Sequence, residues 1–184
     1  MGHKHTREEI LEGAVGVAFD DGLSKLTFGR VAARLGTSDR IVVYYFPSKS
    51  DLISAVLLAV GARLQVTLAP TLTSHVAGHI ELARTAWPVL ARPEADPIFA
   101  LFFEANGLAA SGLDPYRTIV PGLVTAWVDW AGEFVVGDSE HRRAEAEAAI
   151  ALLDGLLLLR QLAGPEAADR AAHQLRVVVG ISSN

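Results

Sequence analysis

Apolar positions along this chain recur every three or four residues, and strict alternation never persists beyond a few positions. Glycine and proline cut the pattern into segments of helical length. Asp21-Gly22 closes the first, Gly36 a short second and Phe46-Pro47 a short third; Pro70 closes a fourth that opens at Ser48. The stretch from Arg92-Pro93 to Pro97 separates a fifth from a sixth, and Ser111-Gly112-Leu113-Asp114-Pro115 precedes a seventh. Gly137-Asp138 and Gly164-Pro165 introduce the eighth and ninth. The pattern predicts an all-α protein of about nine helices, and no fixed-period repeat points to a solenoid.

In the first segment Ile10, Ala14, Val17 and Ala18 form one apolar face. Gly13 and Gly16 lie inside it, each costing about 1 kcal/mol against Ala, so tertiary packing must hold that helix. Thr27 can cap a short helix over Phe28–Leu35, and Gly36 supplies the left-handed residue of a sharp stop. Thr37 or Ser38 can cap the next helix, Asp39 to Tyr45. Two short helices joined by a glycine-containing turn follow the helix-turn-helix plan. Val31, Leu35 and Val42 would fill the core between them, leaving Asp39, Arg40, Val43 and Tyr44 outward to meet base edges and phosphates. Taken alone, the same pattern suits two core helices linked by Gly-Thr-Ser.

The residues that follow favour DNA. Phe46-Pro47 breaks the helix, and Ser48-Lys49-Ser50-Asp51 reads as a capping box with Asp in the usual Glu position. Lys49 then stands at a helix N-terminus, which is unfavourable for a cation unless a phosphate docks there as well. At this point the sequence resembles the tetracycline-repressor (TetR) family of transcriptional regulators. That family's N-terminal pattern is an apolar helix, Gly, Thr, a helix with Ile/Val-Ala, Leu-Gly-Val-Ser, then Leu-Tyr-x-His-Phe-x-Ser-Lys. The chain supplies Gly22, Thr27, Val31-Ala32, Leu35-Gly36-Thr37-Ser38, Tyr44, Phe46, Ser48 and Lys49, and the resemblance spans residues 7–60.

The resemblance implies a three-helix DNA-binding domain over residues 1–50 and a helical ligand-binding and dimerisation domain over 51–184. It implies that Thr27, Tyr44 and Lys49 contact phosphates and that Ser38, Asp39, Arg40 and Tyr44 lie against the major groove. Thr37, Val43 and Tyr45 complete the candidate DNA-facing set. The family's frequent Thr-Leu-Tyr is Ile41-Val42-Val43 here and its common His is Tyr45, so operator preference does not carry over. Gly29 also replaces a better helix former.

Charge tempers this reading without removing it. The net charge is −5, yet residues 1–50 carry seven Lys/Arg against six Asp/Glu, and residues 51–184 carry nine against fifteen. A near-neutral head on an acidic body still binds phosphate if a few cations are well placed. With 51% apolar and 20% charged residues the chain reads as globular. The apolar stretch Leu52–Ala62 falls short of the roughly 20 residues a bilayer needs, so no membrane partner is expected. The charged start, with His3, Lys4, His5 and Arg7, predicts no secretory leader; the expected compartment is the cytoplasm. Without cysteine there is no disulfide framework or thiolate site.

In the remaining two thirds, Ala144 to Leu162 predicts a long helix that is apolar almost all round from Ala148 to Leu159. Its Ala151-Leu152-Leu153-Asp154-Gly155-Leu156-Leu157 run also resembles the family's penultimate helix. Leu175, Val177, Val178, Val179 and Ile181 give the last segment similar character. Such helices suit either a buried pair within one chain or, as the resemblance implies, a homodimer interface through the last two helices.

Aromatics gather in the same region. The candidate effector contacts are Trp87, Phe99, Phe102, Phe103, Asn106, Leu123, Trp127 and Trp130, with Glu104 and Arg84 as further polar groups. Core packing is the plainer reading for many of them. His75 and His79 have i, i+4 spacing but no third ligand, so neither metal nor cofactor is expected. No phosphate-binding or nucleophile motif is present, which weakens the competing reading of a small helical enzyme. A non-DNA helical adaptor would leave Lys49 and Tyr44 unexplained, so the sequence favours a regulator that binds a double-stranded DNA operator.

Overall fold

The computed structural model describes residues 5–178. Among them are nine α-helices: α1 (Arg7–Asp21), α2 (Phe28–Leu35), α3 (Asp39–Tyr45), α4 (Lys49–Leu68), α5 (His79–Leu90), α6 (Asp96–Ala110), α7 (Tyr116–Gly132), α8 (Ser139–Ala163) and α9 (Pro165–Gln174). Single 3₁₀ turns occupy Leu23–Lys25 and Pro93–Ala95. The β content of the described residues is one isolated parallel bridge, Val76 to Val135. The fold is all-α, and its helices end where the breakers stand.

Two compact units divide the chain. One comprises Met1–Leu64 with Ala100–Pro121, the other Gln65–Phe99 with Gly122–Asn184.

In the first unit, α1, α2 and α3 pack on one another. The predicted α1 face, Ile10, Ala14, Val17 and Ala18, is buried together with Val31, Val42, Phe46, Leu52 and Ile53. The two α1 glycines have a packing reason. A Cβ on Gly13 would lie 2.7 Å from Leu35 Cδ1, and one on Gly16 would lie 2.7 Å from the Arg34 guanidinium. Bare backbone there lets the end of α2 lie close against α1, which offsets the propensity lost.

In the second unit, α8 packs against α5 and α9. Leu82, Ala83, Ala86 and Trp87 of α5 are buried, as are Ala146, Ala149, Leu153, Leu156 and Leu157 of α8. Arg160, on the same side of α8, is 9% exposed; its Nε and Nη2 donate to the Asp96 carboxylate at 2.6 and 3.1 Å. A bidentate pair of this kind satisfies a charge that could not be buried alone.

The final helix is shorter than its apolar run suggests. α9 stops at Gln174, and Arg176 turns the chain with φ +59°. Leu175 is left 46% exposed while Val177 is buried. Val179 and Ile181, like His3, lie outside the described residues.

One helix among the described residues, α4, is long and apolar enough to cross a membrane by length and composition. The Leu52–Ala62 stretch alone underestimated it. Its Leu52, Ile53, Val56, Leu57 and Val60 are buried in protein, as in a core helix.

Candidate nucleic-acid interface

The helix-turn-helix forms from its local signals. The Thr27 hydroxyl accepts the Arg30 N–H at 3.3 Å and so caps α2. Gly36 adopts φ +62° and ψ 35°, and its N–H closes back on the end of α2. The half-buried Thr37 sends its N–H to the Ala32 carbonyl at 2.9 Å, which tightens the turn. Ser38 takes the N-cap position of α3 without a side-chain cap bond, so its exposed hydroxyl is uncommitted.

Helix α3 buries Val42 and turns Asp39, Arg40, Val43 and Tyr44 to solvent. Tyr44 is 77% exposed and meets the Tyr45 ring edge-on, with centroids 5.0 Å apart. Tyr45 is itself half-buried, and its hydroxyl donates to the His5 carbonyl at 2.8 Å. Tyr45 thus braces Tyr44 and ties α3 to the segment before α1. Asp39 leans toward α2, where a Cβ on Gly29 would sit 3.5 Å from its Oδ2. A side chain at that position would meet the carboxylate at ordinary contact distance.

The capping box at α4 is complete. Ser48 Oγ accepts the Asp51 N–H at 3.0 Å, and Asp51 Oδ2 accepts the Ser48 N–H at 3.0 Å. Lys49 is the first residue of that helix.

Charge is sorted within this unit. Arg30 pairs with Asp21, Arg34 with Asp20 and Arg63 with Glu12, while Arg7 lies over the Phe46 ring at 4.8 Å. Lys25, Arg40 and Lys49 are exposed and enter no hydrogen bond or ion pair among the described residues. These three belong to the turn before α2, the outward face of α3 and the start of α4. Lys25 is not among the sequence-derived candidates, although a lysine two residues before the Thr27 cap was the available signal.

The turn before α2 is held from α6 and α7. Glu104 accepts the Leu23 N–H at 2.8 Å and the Ser24 N–H at 2.9 Å, and the Tyr116 hydroxyl donates to the Leu23 carbonyl at 3.3 Å. Burial and the nearby Glu104 charge push the Tyr116 phenol up to about 12. Glu104 therefore acts as a structural clamp on this turn.

Residues 10–56 match the family model described as bacterial regulatory proteins, tetR family. The N-terminal module is thus similar to that family's helix-turn-helix DNA-binding domain over residues 10–56. Solved structures share the whole tetR-type fold at low identity. A transcriptional regulator from Rhodococcus sp. Rha1 is 18% identical with a TM-score of 0.71, covering 96% of this chain and 100% of its own. The multidrug binding protein EbrR, complexed with imidazole, is 20% identical with a TM-score of 0.65, covering 98% and 99%. A TetR transcriptional regulator from Legionella pneumophila is 21% identical with a TM-score of 0.65, covering 95% and 97%. No curated protein matches the chain.

The aromatic candidates fall in different places. In the second unit, Trp87 and Phe99 are buried at 3% and 7% exposure, and Leu123 is half-buried. Trp127 and Trp130 meet edge-on at 5.3 Å, and Trp130 meets Phe134 at 5.0 Å. Trp127, Trp130 and Phe134 are all half-buried. Phe102, Phe103 and Asn106 are half-buried members of the first unit. A shallow cavity of about 180 Å³ lies along α7 and the start of α8, lined by Val128, Asp129, Gly132, Glu133, Ser139, Arg142 and Arg143, and includes none of the aromatic candidates. Arg84, the other polar candidate, donates to the Arg176 carbonyl at 2.9 Å.

The two histidines do not share a helix face, because α5 begins at His79 and His75 precedes it. His79 Nδ1 lies 2.7 Å from Glu145 Oε2, and the His79 N–H also donates to that oxygen at 2.6 Å. These bonds hold the Glu145 carboxyl below its ordinary range. Among the described residues no group of three or more His, Asp or Glu is placed to hold a metal ion.

Proposed function

We propose that this chain is a ligand-responsive repressor that binds a palindromic operator as a homodimer, residues 1–50 reading DNA and residues 51–184 carrying the effector and dimer functions. The observation that carries the DNA reading is the set of unpaired cations on and flanking one helix-turn-helix, Arg40 on α3 with the exposed Tyr44, Lys25 just before α2 and Lys49 at the start of α4. Phosphate is the natural partner for Lys49 and Lys25, and Thr27, Thr37, Ser38, Asp39, Val43 and Tyr44 lie on or beside the same elements. Such a protein works in the cytoplasm, where the chromosome is.

The dimer reading rests on α8. Opposite its buried face, Ala144, Ala148, Ala151, Gly155, Leu158 and Leu162 follow one another at steps of four, three, four, three and four residues. None is buried, Leu158 is 41% exposed and Leu162 is 78% exposed. A seam of that spacing with small residues along it suits a second helix at close range. The partner is a second α8, with α9 beside it. Leu156 and Leu157 belong to the chain's own core, so the test falls on the seam. Leu158→Glu with Leu162→Glu should give a folded monomer that loses operator binding; a wild-type chain that sediments as a monomer at micromolar concentration sinks the reading.

Control by a small, mostly apolar molecule is supported by the Trp127–Trp130–Phe134 cluster, with Leu123 on the same helix as the two tryptophans. EbrR of the same fold holds imidazole. Binding would shift the population between operator-competent and incompetent conformations. Titration of an apolar compound library against tryptophan fluorescence and operator release tests this. A library that changes neither overturns it.

A further inference from the structure

Helix α3 turns an apolar face to solvent. Val42 is fully buried, whereas Ile41, Val43 and Tyr44 are 37%, 39% and 77% exposed. Three large apolar side chains of this seven-residue helix are thus partly or mostly open to solvent, and a groove that covered them would bury further apolar area. Val43 lies three positions after Arg40 and next to Tyr44, on the side of the helix turned away from the core. Its isopropyl group has neither donor nor acceptor, so it reads neither a phosphate oxygen nor a polar base edge. In the major groove the one apolar feature that distinguishes a base is the 5-methyl group of thymine.

We propose that Val43 is a specificity-determining residue that reads a thymine methyl group in each operator half-site. The inference rests on the operator-binding reading above and adds the base to it. Arg40, exposed and unpaired on the same face, supplies the polar complement at a neighbouring pair, since its guanidinium can bridge guanine O6 and N7. Tyr44, braced by Tyr45, sets the depth at which α3 enters the groove.

The test uses duplexes selected from a random pool by the full-length protein. In the selected operator each thymine is replaced in turn by deoxyuridine, which removes the methyl and leaves every hydrogen bond intact. One thymine per half-site should lose about fourfold in affinity for each methyl removed, the worth of one buried carbon. Val43→Ala, at an exposed position and checked for retained helicity, should bind the thymine and deoxyuridine duplexes equally. If no thymine is sensitive to its methyl, or if the sensitivity persists in Val43→Ala, the inference fails while operator binding stands. If no duplex is enriched at all, the operator reading fails and the inference with it.

Discussion

The Glu104 carboxylate closes on the Leu23 amide at 2.8 Å, across 81 positions of sequence. Its second oxygen takes the next amide, Ser24, so a single side chain on α6 satisfies both N–H groups at the start of the turn between α1 and α2. Glu104→Ala leaves the part-buried Leu23 N–H without its acceptor and should cost about 1–3 kcal/mol in urea unfolding. Glu104→Gln keeps one acceptor oxygen and should cost less. An alanine variant with the wild-type midpoint would mean that water replaces the carboxylate.

The two α1 glycines should respond differently to the same substitution. Gly13→Ala gains about 1 kcal/mol of helix propensity but drives a methyl into Leu35, and overpacking of this kind costs about 1–3 kcal/mol. A lower Tm is expected. Gly16→Ala meets only the far end of the Arg34 side chain, which can swing aside, so its Tm should match or exceed the wild type. Equal losses at both positions would count against the close approach of α2.

Free and paired cations should separate in the salt dependence of operator binding. Lys49→Ala and Lys25→Ala should each lower the slope of log K against log salt by about 0.9 for every phosphate the lysine neutralises, and weaken operator and random duplex alike. Arg34→Ala, which removes a side chain engaged with Asp20, should leave the slope unchanged. A slope that moves for Arg34 and not for Lys49 would reverse the assignment.

Asp154 makes stability depend on pH. It is half-buried on α8 without a hydrogen bond or ion pair among the described residues, and desolvation pushes its carboxyl up to about 6. A folded-state value above the unfolded 3.8 means that the protonated form is favoured in the fold. This contribution is whole below about pH 4 and is lost as pH rises through about 6. Asp154→Asn should therefore stabilise the protein at pH 8 by about 1–3 kcal/mol, allowing for partial exposure, and change little at pH 4. A variant with the same gain at both pH values would trace the effect to packing.

Helix boundaries were legible because the residues that set them act locally. Gly36 ends α2, the Ser48–Asp51 box starts α4, and Gly164-Pro165 separates α8 from α9 through chemistry confined to a few neighbours. The outward side chains of α3 were legible for the same reason, since one short helix fixes their faces. What local pattern does not encode is which distant elements meet. Glu104 looked like a pocket residue because nothing near it in sequence names the Leu23 amide. Gly13 looked like a defect until Leu35 lay over it. Arg160 and Asp96 stand 64 positions apart, and an amphipathic count reads each merely as polar. The apolar run after α9 looked helical, but the left-handed Arg176 ends that regularity.

The pairing of Arg30 with Asp21 and of Arg34 with Asp20 bears on how such a protein searches a chromosome. Bulk DNA offers phosphate everywhere, so every loose cation lengthens the protein's stay at sites that mean nothing. The two aspartates act as muzzles on α2. A single substitution at either one would release a guanidinium, raise affinity for all sequences together and leave fewer molecules at the operator. Tighter binding to any one duplex would then accompany a weaker preference among duplexes.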